Sequence, residues 1–250
     1  VTRFAFNRPD GRQFDQLRPV RFTRGYVKFA RGSTLVEVGD TRVLCTVVVE
    51  ESVPSFIEDT GKGWVTAEYG MLPASTKQRK SREGRQGRAD GRTMEIQRLV
   101  GRAMRGAIDL ELLGERTLWI DTDVIQADGG TRCAAITGAY VAVADAVRSM
   151  LKEQLLMKDP LRPPIAAVSV GIVKGTAVLD LNYVEDSAAE VDMNLIMNEA
   201  GELIEVQGTA EGKAFPRPRL NEMLDLGEKG IRELIALQKA ALEGPPTPAK

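Results

Sequence analysis

One junction limits what this chain can fold into more than any other stretch. Residues 127–132 read Ala-Asp-Gly-Gly-Thr-Arg and run directly into Cys-Ala-Ala-Ile-Thr-Gly-Ala-Tyr-Val-Ala-Val-Ala, a paired-glycine turn opening onto a helix of small residues. The preceding Leu118–Gln126 has a strand's composition, so the local order is strand, glycine turn, then helix through about Lys152. The junction also suits an anion. The first N–H groups of a helix lack intrahelical partners and carry the positive end of its dipole. Gly129 and Gly130 allow close backbone approach, Thr131 offers a hydroxyl and Arg132 a two-pronged donor.

The rest of the chain alternates strands and helices, which predicts an α/β (α+β) fold with mixed sheets and long helices. Leu35–Val38 and Val43–Val49 read as a hairpin around Gly39-Asp40-Thr41, and Trp64–Tyr69 as another strand. Thr93 to Leu113 carries apolar residues at mostly helical spacing and predicts one long helix ending at Gly114. Asp159-Pro160 and Pro163-Pro164 mark a connection at 158–164 between two lobes, about 8–157 and 165–243 of a single domain. Beyond it, Ala166–Val173 and Ala177–Val184 read as a strand pair, Glu190–Met197 as a third strand, and a Leu/Ile/Met stripe from Leu220 to Leu242 as a final helix. Residues 244–250 read as a flexible tail, and 1–7 as an N-terminal extension without a functional reading.

Composition removes whole classes of chemistry. Histidine is absent, which excludes Ser-His-Asp triads, imidazole acid–base pairs and histidine metal sites. No apolar run approaches the roughly 20 residues of a membrane span, and the opening residues lack the apolar core of a signal peptide, so a cytoplasmic protein without membrane partners is expected. Cys45 and Cys133 have no metal or redox spacing and read as buried thiols. Lys and Arg number 34 against 35 acids, so any attraction for nucleic acid has to be local.

Local clusters of both signs exist. Within 77–92, Lys77, Arg79, Lys80, Arg82, Arg85, Arg88 and Arg92 face only Glu83 and Asp90, and three glycines interrupt any helix. A loop tracking a polyanionic backbone and a solvated loop with no partner both fit this segment. Between Leu179 and Asn194 carboxylates crowd together; alternation from Glu190 puts Asp192 and Asn194 on the face opposite Val191 and Met193, and Asp186 can bend back from the preceding turn. An Mg²⁺ site and an acidic hairpin edge that discourages aggregation both fit. Together the clusters make phosphate itself a candidate nucleophile toward RNA, with Arg92, Arg132, the helix N-terminus and a metal offsetting the repulsion of two phosphates.

Long motifs then carry a resemblance: Arg8-Pro-Asp-Gly-Arg, Lys62-Gly-Trp-Val-Thr-Ala-Glu-Tyr-Gly-Met-Leu-Pro73, Gly91-Arg-Thr-Met-Glu-Ile-Gln-Arg98, Gln126-Ala-Asp-Gly-Gly-Thr-Arg132, Glu185-Asp-Ser-Ala-Ala-Glu-Val-Asp192 and Val206-Gln-Gly-Thr-Ala-Glu-Gly212. In this order, from Arg8 to Leu242, the chain resembles the bacterial ribonuclease PH family. The resemblance implies the ribonuclease PH fold with two similar lobes, and a reversible phosphorolytic 3′→5′ exoribonuclease that trims tRNA precursors and releases nucleoside diphosphates. It implies phosphate binding by Arg92, Gly130, Thr131 and Arg132. It further implies that Asp186 and Asp192 hold Mg²⁺ or assist protonation of the leaving 3′ oxygen, and that the chain forms a homohexamer, a trimer of dimers, with the basic loops around a central opening. Ala74 and Cys133 depart from the family's pattern, which carries arginine and threonine there, and are expected near the RNA path. Two other classes compete: a non-catalytic RNA-binding ring subunit, and a nucleotide-binding phosphotransferase, which lacks support from any Gly-x₄-Gly-Lys-Ser/Thr loop.

Overall fold

The computed structural model describes residues 7–82 and 90–245. Arg85 and Arg88 of the basic segment, residues 1–6 of the extension and 246–250 of the tail lie outside the described residues.

The first sheet is built from β1 (Val20–Arg24), β2 (Gly32–Val38), β3 (Thr41–Glu50), β4 (Trp64–Met71) and β5 (Thr117–Gln126), in the order β1-β2-β3-β5-β4. Its pairs are antiparallel except β4 with β5, so the sheet is mixed. The β4–β5 crossover contains α1 (Gly91–Gly106) and α2 (Leu110–Leu113). The small-residue helix α3 (Thr131–Lys152) follows β5 and lies across β2 and β3. Small residues are what allow this contact: a Cβ at Gly138 would sit 2.5 Å from Val36 Cγ1 and 2.9 Å from Cys45 Sγ.

The second sheet, ordered β7-β6-β8-β9, comprises β6 (Ile165–Val173), β7 (Thr176–Leu179), β8 (Val191–Asn198) and β9 (Leu203–Ala210), all antiparallel, with α4 (Tyr183–Asp186) between β7 and β8. One face meets α3 and the other meets α5 (Arg217–Leu242). Every residue of β6 is buried because both faces are covered. Ala167 and Ile196 pack with α3 in one core, whereas Val168, Val170, Met193 and Leu195 pack with Met223, Ile231 and Leu234 of α5 in another. Thr137 of α3 clips onto β6 by exchanging hydrogen bonds with Ala167, and Gln238 of α5 donates to both Thr137 O and Ile165 O. By length and composition α3 is apolar enough to cross a bilayer, contrary to the expectation that no run comes close, but 83% of that stretch is buried inside the fold. A core helix between two sheets has the same composition.

Two expected elements differ. The helix predicted over Thr93–Leu113 breaks after Gly106, because Ala107 and Asp109 pair with the connection: Arg162 N donates to Ala107 O and Asp109 N to Pro160 O. Asp109 then caps α2 through the N–H groups of Glu111 and Leu112. The strand predicted through Val184 ends at Leu179, since Asp180 takes a positive φ and Asn182 with Glu185 forms a capping box that starts α4. Strands β1 and β9 have no counterpart in the sequence reading; both are sheet edges with mixed polar and apolar residues.

The Gly138 contact predicts that Gly138→Val destabilises the protein by about 1–3 kcal/mol, the usual cost of overpacking a filled core. Urea unfolding followed by circular dichroism would measure it; an unchanged midpoint would mean that α3 can move off β2 and β3.

Candidate active site

The turn joining β5 to α3 is held from three sides. Gly129 and Gly130 both adopt positive φ, 76° and 63°. A Cβ on Gly129 would lie 2.6 Å from Leu181 O and 2.8 Å from Tyr183 N, so only glycine lets the turn seat against the start of α4. Thr41 Oγ1 donates to Gly129 O at 2.7 Å and accepts from Asp128 N at 2.9 Å, and Arg18 Nη1 donates to Asp128 O at 2.6 Å. These bonds secure the turn's backbone, while no side chain caps α3. The positive end of the helix is therefore left without a side-chain cap. The Thr131 hydroxyl is buried and lies 2.9 Å from the hydroxyl of Tyr69 on β4, a partner absent from the sequence reading.

Around this terminus four elements bring charges together. Arg132, in the first turn of α3, has its side chain 16% exposed and donates to Gln207 Oε1 of β9 at 3.1 Å, with Glu95 at 3.4 Å. Arg92 is exposed at the start of α1. Asp186 ends α4, and Asp192 lies on β8 facing α3, on the same face as Asn194. Burial pushes the Asp192 carboxyl up to about 6, helped by the negative charge of Asp186 and opposed by Arg132 and Arg92. Burial also raises Asp186, against the pull of Arg92, Arg132 and Arg18. Arg92, Arg132, Asp186 and Asp192, scattered over 101 positions of sequence, thus share one electrostatic neighbourhood.

Asp192 Oδ1 is buried without a hydrogen-bond partner. A carboxylate oxygen in that state is costly until a proton or cation meets it. Among the described residues no group of three or more His, Cys, Asp or Glu side chains is placed to hold a metal. The Asp186/Asp192 pair fits Mg²⁺, which commonly takes one or two carboxylates and fills its shell with water and substrate oxygens.

Lys77, Arg79 and Arg82 are exposed on the loop between β4 and α1; Lys80 is tied back through its N–H to Pro73 O and its Nζ to Met71 Sδ. Ala74 is exposed on the loop after β4, while Cys133, next after Arg132 in the chain, is 5% exposed, and its Sγ lies 3.1 Å from Asn194 Oδ1 between α3 and β8. Its thiol is pushed up by burial, and both cysteines are free and buried, as expected.

Residues 16–149 match the 3′ exoribonuclease family, domain 1, and residues 163–230 match domain 2 of the same family. The chain belongs to the 3′ exoribonuclease (ribonuclease PH) family. Among solved structures, rice (Oryza sativa) Rrp46 is 20% identical over 94% of this chain and 100% of its own, with a TM-score of 0.77. A chain of the Archaeoglobus fulgidus exosome with RNA bound to the active site is 23% identical over 91% of each chain, with a TM-score of 0.78. One from an archaeal exosome core is 24% identical over 93% of this chain and 91% of its own, with a TM-score of 0.75. These likenesses concern the fold.

Within this family member, the sequence reading missed an arginine network behind the turn. Arg8 grips Glu185 with a fork at 2.7 and 2.8 Å, both side chains fully buried. Arg18 holds both oxygens of Asp180 at 2.7 and 3.0 Å, and Arg12 reaches Asp180 O at 3.0 Å and Asp180 Oδ2 at 3.3 Å. The motif Arg8-Pro-Asp-Gly-Arg was the available signal, but nothing local in it names a partner more than 160 residues away.

The Asp192 shift predicts a pH dependence. Its folded pKa of about 6 lies above the ordinary 3.8, so between those values the folded protein retains a proton that the unfolded chain has released, and stability falls as pH rises through that window. Asp192→Asn removes this penalty. In chelator, the variant should be more stable than the parent at pH 8 by up to about 3 kcal/mol, with the two curves converging below pH 4; a variant no more stable at pH 8 would mean that burial does not strain this carboxylate.

Proposed function

We infer that the protein is an RNA-binding member of a ring-forming RNA-processing assembly, and we propose that its own site is catalytic: a phosphate-dependent 3′→5′ exoribonuclease acting on tRNA precursors and other structured RNA. The observation that carries the catalytic reading is the convergence of Arg92, Arg132, Asp186 and Asp192 on the uncapped N-terminus of α3. The family match and the fold shared with exosome chains support the ring. A homohexameric trimer of dimers would carry Lys77, Arg79 and Arg82 around its opening.

In this reading inorganic phosphate sits on the first N–H groups of α3 beside Gly130, Thr131 and Arg132, and Arg92 approaches from α1. The two arginines and the helix dipole offset the repulsion between the phosphate and the RNA phosphodiester. An oxygen of the phosphate attacks the terminal phosphorus, the bond to the 3′ oxygen of the preceding nucleotide breaks, that oxygen takes up a proton released by the hydrogen phosphate to become the new 3′ hydroxyl, and a nucleoside diphosphate leaves. Asp186 and Asp192 would hold Mg²⁺, which when bound supplies positive charge to the two phosphates. In its absence Asp192, which burial raises to about 6, would hold a proton for the departing 3′ oxygen only in mildly acidic solution. The reaction is reversible because one phosphate ester is exchanged for a phosphoanhydride without loss of a phosphoryl group to water.

The second reading is an RNA-binding ring subunit without activity of its own. The fold likeness to rice Rrp46 and to exosome-core chains supports it as well.

A 3′-extended tRNA incubated with the protein and Mg²⁺ should be shortened only when phosphate is added, with nucleoside diphosphates as products. Monophosphate products would exclude phosphorolysis, and binding without shortening would leave the ring-subunit reading. Arg79→Ala combined with Arg82→Ala should reduce the slope of log affinity for single-stranded RNA against log salt by about 1.4, as expected when two phosphate contacts are lost; an unaltered slope would return this loop to solvent.

A further inference from the structure

The motif Val206-Gln-Gly-Thr-Ala-Glu-Gly212 has no part in the proposed phosphorolysis, yet its second residue reaches the site from the edge strand β9. Gln207 Oε1 accepts from Arg132 Nη1 at 3.1 Å, and Gln207 Nε2 donates to Glu205 Oε1 at 3.0 Å. Glu205 in turn receives a fork from Arg102 of α1, at 2.6, 2.9 and 3.1 Å. Only one orientation of the amide satisfies both neighbours. Turned over, its NH₂ would oppose the guanidinium and its oxygen would oppose the carboxylate. The Arg102–Glu205 pair therefore decides which end of Gln207 faces Arg132.

We propose that Gln207 is a positioning residue for phosphate recognition, its amide oxygen, oriented by Glu205 and Arg102, holding Arg132 at the N-terminus of α3. The inference rests on reading Arg132 as a phosphate-binding arginine. A neutral acceptor suits this task better than a carboxylate. It fixes the guanidinium without cancelling its charge, so the arginine stays attractive to an anion, and a side chain ordered in advance loses less freedom when the anion binds. Glu95, the acidic neighbour, is half exposed at 3.4 Å and competes only weakly.

Two variants separate orientation from charge: Gln207→Met keeps the length and loses the acceptor, and Gln207→Glu keeps the shape and adds a charge. Phosphate KM and kcat would be measured at saturating RNA, and binding of inorganic phosphate would be measured without RNA by calorimetry. Gln207→Met should raise phosphate KM and Kd about tenfold, the loss expected for one hydrogen bond to a charged group, with kcat at saturating phosphate within about twofold of the parent. Gln207→Glu should bind phosphate more weakly still, and Arg102→Ala should shift Kd in the same direction by less. Unchanged phosphate Kd and KM in Gln207→Met, or a fall in kcat alone, would overturn the proposal. If the parent binds phosphate but turns over no RNA, the enzymatic reading fails and the calorimetric comparison still decides the role of Gln207. A parent that binds no phosphate overturns both.

Discussion

The buried carboxylate of Asp180 is the hinge point of the structure. Burial alone would raise its pKa, but the charge and hydrogen bonds of Arg18, with the charge of Arg12, outweigh that and hold it below the ordinary range. Arg18 uses its remaining nitrogen on Asp128 O, so one guanidinium ties the second lobe's Asp180 to the first lobe's glycine turn. Arg8 extends the same tie to Glu185, which caps α4. Breaking such a pair leaves an uncompensated charge in the interior, which typically costs about 3–5 kcal/mol. The network therefore sets where the end of α4, and Asp186 with it, stands relative to the start of α3.

Packing and electrostatics serve that same placement. α3 is thin because its residues are small, so two sheets approach it from opposite sides and share one core through Ala167 and Ile196. This sandwich lets β8 bring Asp192 and Asn194 to the side of α3 while its alternate residues fill the core beneath α5. The side chains at the site are then left under tension of a definite kind. Arg132 is mostly buried and directed by a neutral amide, and Asp192 keeps an unpartnered oxygen. On the proposed reading, an anion at the arginines and a cation at the carboxylates would stabilise such a site.

Much of this was legible along the chain. The strand, glycine turn and helix at 117–152 follow from local composition, and the alternation of β8 puts Asp192 on the polar face without reference to anything distant. The absence of histidine narrowed the chemistry, and the ordered motifs carried the family. What stayed illegible depends on partners far away in sequence. The break at Ala107 follows from backbone pairing with Pro160 and Arg162, the end of β7 from the ion pairs of Asp180, and the edge strands β1 and β9 from neighbours that exist only in the sheet.

The sequence by itself determined the parts: which residues could bind an anion, which could bind a cation, and that an α/β frame of two lobes would hold them. Periodicity and turn chemistry are local, so they can be read from a few neighbours. Tertiary structure alone decided that Arg92, Arg132, Asp186 and Asp192 share one field, that Cys133 is buried against Asn194, and that Gln207 aims the arginine. Those outcomes depend on burial and on charges separated by tens of residues, and both come into being only when the two sheets close on α3.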